Sequence, residues 1–501
     1  MNAFLLNRAL GTVAPQALER AYTHSLVRDI QPADVRLYGS RRGLDAALRG
    51  QRDDEAVAGE EEARRADAVA HLAGVNAIDM DRFEGRYMLS GGADGTISVW
   101  DFDQEERLVP RGSALAPVGQ IPKSSQSHKF GITAVSFFPT DPYALISTSF
   151  DHTLKLFSTT SFLSSPPSSI PPEPAASYDL ESIPYTHAPS PHPSSHLLIA
   201  VGLQHPAIRL LDIRTGSAAH SLPGHAAAVL ALSWCPLPSR PHLLASGSAD
   251  GALRLWDVRR SVPALAALDA EDSVGVLGYD GLGTGARHRS RGRAHGGSGG
   301  GAAVNALCWA PDGRHLVSAG LDEKVRVWDA DRGANTLAAF GPLVRNSRLA
   351  GLRLECAPRG ATLPRADVLA FPSDAEVLLF ELWDGRLVRR LRTPDMVRAA
   401  RAVPPPPMAP TSATGASATA TATRVARARA TAVAWRRGGG APELVSGHGD
   451  GKVRVWRPWT GEDEEVERED EEERREAEAG RKRKAEALEG VRRDVLRGVG
   501  M

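Results

Sequence analysis

One phrase recurs along this chain, and a recurring phrase restricts a fold to architectures that repeat one supersecondary unit. The phrase is an apolar pair, small residues including Ser, an Asp, then alternating apolar residues ending in an aromatic. It reads YMLSGGADGTISVWD (87–101), ALISTSFDHTLKLF (144–157), LLASGSADGALRLWD (243–257), HLVSAGLDEKVRVWD (315–329) and ELVSGHGDGKVRVW (443–456). In every copy the Asp follows the Ser by four residues and the aromatic follows the Asp by six. The sets are Ser90/Asp94/Trp100, Ser147/Asp151/Phe157, Ser246/Asp250/Trp256, Ser318/Asp322/Trp328 and Ser446/Asp450/Trp456. Two weaker copies fall between them: 197–212, with Leu211 at the aromatic place, and 368–385, with Phe380 there. The aromatic positions step by 57, 54, 45, 72, 52 and 76 residues. A bare unit of this kind is roughly 40–45 residues, so most units carry insertions.

Alternation such as Thr96–Ile97–Ser98–Val99–Trp100 is a strand signal, and the Asp-Gly or Asp-His before it marks a tight turn. Further strands precede the units: VNAIDM (75–80), ITAVSFFP (132–139), VLALSWCP (229–236), VNALCWAP (304–311) and ATAVAWRR (430–437). A small sheet repeated radially is a propeller blade, and closing the ring removes most free edges. The expected fold is therefore all-β, a seven-bladed propeller with five firm blades and two inferred ones.

These units resemble WD repeats (WD40 type), whose blades often carry a Gly-His before the inner strand. Gly224–His225 and Ala294–His295 match, and His71 and His128 lie at similar offsets. The resemblance implies an internal hydrogen-bonded set of His, Ser, Asp and Trp. A buried indole N–H needs an acceptor, and a Ser hydroxyl can accept it while passing its own proton to His. These residues could be taken for a Ser–His–Asp triad. A nucleophilic site is not needed five times in one chain, and this Ser lies within an apolar strand. They are assigned to stability, and no catalytic residue, metal or cofactor is expected.

The propeller is expected over 71–458. Residues 159–195 (Ser/Pro-rich), 271–301 (ending RHRSRGRAHGGSGGG) and 401–429 (a Pro then Ala/Thr tract) read as disordered loops on its rim. Residues 1–30 show helical spacing broken at Gly11, a helix–loop–helix. Residues 31–70 read as a charged linker. Of the tail, 459–501, residues 461–480 hold twelve acids and three arginines, and 481–501 hold seven basic residues and three acids. Acid first and base last suits a helix, and Arg481–Lys482–Arg483–Lys484 resembles a nuclear-import signal. The 60 basic and 60 acidic side chains balance, so no global field draws the chain to nucleic acid or a membrane. Gly281–Leu282–Gly283–Thr284–Gly285 lacks the flanking strand and helix of a nucleotide loop. The Arg/His cluster at 288–295 reads as a solvated basic loop rather than a nucleic-acid site. Cys235, Cys308 and Cys356 have neither zinc nor disulfide spacing and are read as reduced thiols in an intracellular protein. No apolar run approaches the ~18 residues of a membrane span, and the first residues are too soon polar for a secretory signal.

The fourth unit, LASGSADGALRLWDVR (244–259), resembles the box of WD-repeat substrate receptors in cullin-4 ubiquitin ligases. Leu211–Asp212–Ile213–Arg214 is a weaker second copy. WDxR also occurs in unrelated propellers, so on the motif alone the two arginines read either as docking residues or as simple surface residues. Longer stretches resemble the Cockayne syndrome group A protein family and its fungal members: AFLLNRALG (3–11), FEGRYMLSGGADGTISVWD (83–101), SFFPTDPYALISTSFDHTLKLF (136–157), LLASGSADGALRLWDVRRS (243–261) and ANTLAAFGPLVRNSRLAGLRL (334–354). The resemblance implies a nuclear, non-enzymatic substrate receptor of a cullin-4 RING ligase acting in transcription-coupled nucleotide excision repair. It implies that Phe4, Leu5, Arg8, Arg214, Asp257 and Arg259 face the damaged-DNA-binding adaptor. The opposite face would meet the repair coupling factor and RNA polymerase II, with no direct nucleic-acid contact. The alternative is a generic nuclear WD scaffold, such as a histone-binding propeller.

Overall fold

Each of the five firm copies folds as two antiparallel strands joined by its Asp-bearing turn. The same cross-strand pair recurs: Met88 opposite Trp100, Leu145 opposite Phe157, Leu244 opposite Trp256, Leu316 opposite Trp328 and Leu444 opposite Trp456. The computed structural model describes residues 7, 10–11, 15–39, 69–103, 107–109, 112–160, 172–195, 197–260, 264–269, 276–277, 302–358, 367–401, 429–437 and 442–458. The chain divides into Met1–Arg457, which carries the blades, and Pro458–Met501. The charged tail from 459 lies outside the described residues.

Seven sheets form the blades, each running from an inner strand outward. Blade one is Val75–Met80, Tyr87–Gly92, Ile97–Asp101 and Gly119–Ile121. Blade two is Ile132–Phe138, Asp141–Ser149, Thr153–Ser158 and Ala176–Asp179. Blade three is Pro184–Pro189, Leu198–Leu203, Ala207–Asp212 and Ser217–Pro223. Blade four is Val229–Trp234, Leu243–Ser248, Ala252–Asp257, Ala266–Asp269 and Val276–Leu277. Blade five is Val304–Trp309, His315–Gly320, Val325–Asp329 and Ala334–Asn335. Blade six is Glu355–Cys356, Val368–Pro372, Val377–Glu381 and Leu387–Leu391. Blade seven is Ala430–Trp435, Leu444–His448, Val453–Pro458 and, from the other end of the chain, Ile30–Pro32.

The core lies between the flat faces of neighbouring blades. Val445, Val453 and Val455 of blade seven pack with Val75, Ile78 and Met88 of blade one. The small residues of the repeat phrase make this approach possible. A Cβ on Gly247 would stand 2.7 Å from Val304 Cγ1, and one on Gly447 would stand 2.7 Å from Ile78 Cδ1. Gly at these places lets the next blade's branched side chain lie against the backbone.

Two stretches, 159–195 and 31–70, depart from the sequence expectations. Residues 159–195 are not only a loop: Ala176–Asp179 is the outer strand of blade two and Pro184–Pro189 the inner strand of blade three. Their Pro content hides the strand signal, but Pro184 and Pro189 sit at the two ends of theirs, as strand prolines do. Residues 31–70 are not only a linker. Ile30–Pro32 closes blade seven, with Ala33 N donating to Val455 O at 2.9 Å. Val35–Leu37 runs parallel to Gly112–Leu115, which also pairs with Arg107–Val109 in a small side sheet. The N-terminal segment also packs on this chain itself. Helix α1 (Pro15–Arg28) lies against blade six, where Arg20 Nε is 2.9 Å and His24 Nε2 is 3.2 Å from the buried carboxylate of Glu381. Val27 and Ile30 are fully buried beside Leu391 and Met396, the latter on helix α2 (Pro394–Arg401).

Ile30 is therefore expected to act as a rivet between the two ends of the ring. Ile30→Ala is predicted to destabilise the fold by about 2–5 kcal/mol. Urea unfolding of the purified chain measures this, and a loss below about 0.5 kcal/mol would show that the closing strand is dispensable.

Blade hydrogen-bond sets and candidate docking residues

Trp100 Nε1–H donates to Ser90 Oγ (2.8 Å), and Ser90 Oγ lies 2.8 Å from His71 Nε2. An indole N–H can only donate, so the Ser oxygen accepts from it and turns its own proton to His71 Nε2. His71 Nδ1 then carries a proton toward Thr96 Oγ1 (2.7 Å), whose hydroxyl donates to Asp94 (2.6 Å). Blade four repeats the chain directly, with Trp256 to Ser246 at 2.7 Å, Ser246 to His225 at 2.7 Å and His225 to Asp250 at 3.2 Å. Blade two keeps His128 with Ser147 (2.8 Å) and Asp151 (2.9 Å), although Phe157 brings no N–H. All of these Ser and His residues are buried.

Blades five and seven keep the indole–serine bond. Trp328 donates to Ser318 (2.9 Å) and Trp456 to Ser446 (2.7 Å). In blade seven the His comes from the strand itself: His448 Nε2 lies 2.8 Å from Ser446 Oγ. His448 stands two residues after its Ser, so a search for Gly-His before the inner strand passes over it. In both blades the Asp pairs with an arginine four positions on, Asp322 with Arg326 (2.7 Å) and Asp450 with Arg454 (2.8 Å). His295, the expected partner in blade five, lies outside the described residues.

In blades three and six the donor and the acceptor are both gone. Register places Leu211 and Val201 where blade four has Trp256 and Ser246, and places Phe380 and Phe371 there in blade six. All four are buried. Replacing both partners by apolar groups leaves no orphan, which is why a degenerate blade can still close.

Burial raises the Asp250 carboxyl, but hydrogen bonds from His225 and from the Ala226 and Ala252 N–H groups outweigh it and bring it to about 2. Asp94 and Asp151 are held well below the ordinary carboxylate range by the same balance, through His71 with Thr96 and through His128 with Thr153.

Of the expected adaptor-facing residues, Phe4, Leu5 and Arg8 lie outside the described residues. Arg214 and Arg259 are exposed and occupy equivalent turns, after the third strands of adjacent blades three and four. In each turn the arginine N–H donates to the carboxylate two residues before it, Arg214 to Asp212 (2.9 Å) and Arg259 to Asp257 (3.1 Å). The two therefore share one face of the ring. Asp257 also grips the Arg259 guanidinium at 3.0 and 2.7 Å. The reason lies in the sequence. In blades one and five the Asp after the Trp is paired by an arginine from the first turn, Arg86 with Asp101 and Arg314 with Asp329. His242 holds that place in blade four, so Asp257 takes Arg259 from its own turn. Beside it, Arg240, Arg260, Leu243, Leu255 and Ala330 line a cavity of about 680 Å³.

The ring's central cavity, about 840 Å³, holds a polar group that no motif announced. His187 accepts or donates at Ser136 Oγ (2.8 Å) and Thr148 Oγ1 (3.1 Å), and burial lowers it to about 3, so it is neutral at physiological pH. Asp79 pairs there with Arg353 and takes the Phe137 N–H (2.8 Å).

Four stretches, 67–101, 119–158, 216–257 and 292–329, match the family described as WD domain, G-beta repeat. The chain carries WD repeats. Each of the second and third matched stretches opens at the outer strand of one blade, at its first residue or the one before it, and ends in the third strand of the next, so these sequence repeats straddle blade boundaries. Among curated proteins, the chain is 27% identical over 383 residues to the WD repeat-containing protein ATCSA-1 of Arabidopsis thaliana, covering 64% of this chain and 79% of that one. It is also 27% identical to ribosome biogenesis protein ytm1 of Aspergillus niger, covering 54% of each chain. It is 28% identical to YTM1 of Podospora anserina, covering 57% of this chain and 60% of the relative. The WD-repeat chain thus spans only about half to three fifths of these ribosome biogenesis relatives.

Two outcomes follow for the hydrogen-bond sets. Ser246→Ala leaves the Trp256 indole and His225 without their shared partner and is expected to cost about 1–3 kcal/mol in denaturant unfolding. The Asp250 contribution is fully present above about pH 4, the ordinary carboxyl value, and is lost as pH falls through about 2. An acid titration of stability should therefore be shallower in Asp250→Asn than in wild type between pH 4 and 2. Parallel curves would remove the carboxylate from the account.

Proposed function

We propose that this WD-repeat chain is the substrate-recognition subunit of a cullin-4 RING ubiquitin ligase, acting in transcription-coupled nucleotide excision repair in the nucleus. The observation that carries the reading is the similarity to ATCSA-1 across 79% of that protein's length. It agrees with the resemblance of 3–11, 83–101, 136–157, 243–261 and 334–354 to the Cockayne syndrome group A family. In this reading the chain catalyses nothing. It holds a target near the ligase's own catalytic subunits, so its contribution is proximity. The adaptor docks on the face that carries Arg214 and Arg259. Asp257 does not meet the adaptor as a free charge; it pre-orients Arg259, whose remaining N–H donors stay available for carbonyls and carboxylates. Phe4, Leu5 and Arg8 would extend the contact. The other face is left for the repair coupling factor and RNA polymerase II.

The similarity to proteins named ribosome biogenesis protein YTM1 favours a second reading, a scaffold in ribosome assembly. Affinity purification with mass spectrometry, before and after ultraviolet irradiation, separates the two. The receptor reading expects the damaged-DNA-binding adaptor with wild type. It also expects a loss of at least about tenfold, or 1.4 kcal/mol, with Arg214→Ala/Arg259→Ala or with removal of residues 1–14. Residues from 15 onward are kept in that truncation because α1 and Ile30 belong to the propeller. Adaptor recovery unchanged in both variants, or pre-ribosomal particles in its place, would overturn the assignment.

A further inference from the structure

Two of the chain's three cysteines converge inside the ring. Cys308 lies on the inner strand of blade five and Cys356 on the inner strand of blade six, and their Sγ atoms are 3.6 Å apart. They are separated by 48 residues, so only the fold brings them together. Both line the central cavity, with Cys308 half-buried and Cys356 buried. The third, Cys235, is buried and directs its thiol to Gly313 O (3.4 Å), away from the pair.

We propose that Cys308 and Cys356 form a thiol–disulfide modification site that, when oxidised, covalently links blades five and six. A disulfide needs an S–S distance of about 2.05 Å, so the sulfurs need to close by roughly 1.5 Å, within the reach of side-chain rotation. A glutathione disulfide is an oxidant of suitable size to approach through the cavity. Hydrogen bonding with Cys308, then burial, push the Cys356 thiol well above the ordinary thiol range, so Cys308 attacks first. The Cys308 thiolate, its proton lost to water, displaces one glutathione thiolate and forms a mixed disulfide. The Cys356 thiolate then attacks the Cys308 sulfur and displaces the second. Two protein thiols are oxidised to one disulfide, one glutathione disulfide is reduced to two thiols, and the protons lost by the cysteines are taken up by the glutathione thiolates.

The position gives the link a consequence. Blade six lacks the Trp–Ser–His set, and its inner strand pairs with the next over a short ladder, Glu355–Ala370 and Cys356–Leu369, followed by Ala357 N donating to Val368 O (2.8 Å). It is held in the ring sideways, by Leu352 N to Asn305 O (2.9 Å), Val433 N to Arg353 O (3.1 Å) and Trp435 N to Glu355 (3.1 Å). A covalent bond at Cys356 would pin this short inner strand to the neighbouring blade.

The full chain is equilibrated with equal concentrations of reduced and oxidised glutathione, alkylated, and analysed by intact mass and non-reducing peptide mapping. The expected result is a loss of two hydrogen masses, one cross-linked peptide joining Cys308 to Cys356, and an unfolding midpoint several degrees higher. Cys356→Ser should instead carry one glutathionyl group on Cys308, and neither Cys356→Ser nor Cys308→Ser should gain stability on oxidation. Alkylation of both Cys308 and Cys356 in wild type, glutathione adducts without a cross-link, or a link to Cys235 would overturn the proposal. A cross-link with no rise in midpoint would overturn its role in pinning blade six.

Discussion

An indole N–H buried between two sheets must meet an acceptor, and most of this ring is arranged around that demand. Trp100, Trp256, Trp328 and Trp456 all give their N–H to a Ser on the neighbouring strand. The Ser must then dispose of its own proton, which calls for a His; the His calls for an Asp, directly or through Thr96. Each link ties a strand to the turn or loop beside it, so one buried donor fixes the register of a whole blade. At Leu211 and Phe380 the demand and the apparatus are both absent, and apolar side chains fill their places between the blades; blade two keeps its His, Ser and Asp even though Phe157 brings no N–H.

This explains what the sequence could and could not disclose. A chain of hydrogen bonds with fixed geometry needs fixed spacing, so Ser, Asp and Trp repeat at constant offsets and five blades were legible. Packing tolerates any apolar residue of suitable size, so blades three and six showed only a trace. The inner strand Pro184–Pro189 was masked by its Ser/Pro-rich surroundings, and Ile30–Pro32 by being three residues long. His448 escaped notice because it stands after its Ser rather than before the inner strand, and Arg326 and Arg454 because the repeat phrase assigns no partner to their position. The polar group around His187 draws on three strands from two blades, and no local spacing can encode it.

The same logic of substitution reaches the surface. An aspartate following the Trp requires a cation, and blades one and five supply it from the turn between their first two strands, through Arg86 and Arg314. With His242 in that place, Asp257 recruits Arg259 and holds it at the edge of the cavity beside Arg240 and Arg260. A structural need met in an unusual way has left a guanidinium fixed in direction on an open face. For a long, flexible side chain that is a saving in entropy on meeting a partner.

The closing strand has a temporal meaning. Ile30–Pro32 leaves the ribosome early, yet its place beside Val453–Pro458 does not exist until the last blade has been made. At roughly 5–20 residues per second the interval is roughly 20 to 90 s. Throughout it, the nascent protein carries an unsatisfied apolar segment at one end and an unfinished sheet edge at the other, both of them invitations to a wrong partner. For this molecule, closing the ring is a search by an early segment of the polypeptide for a strand made long after it.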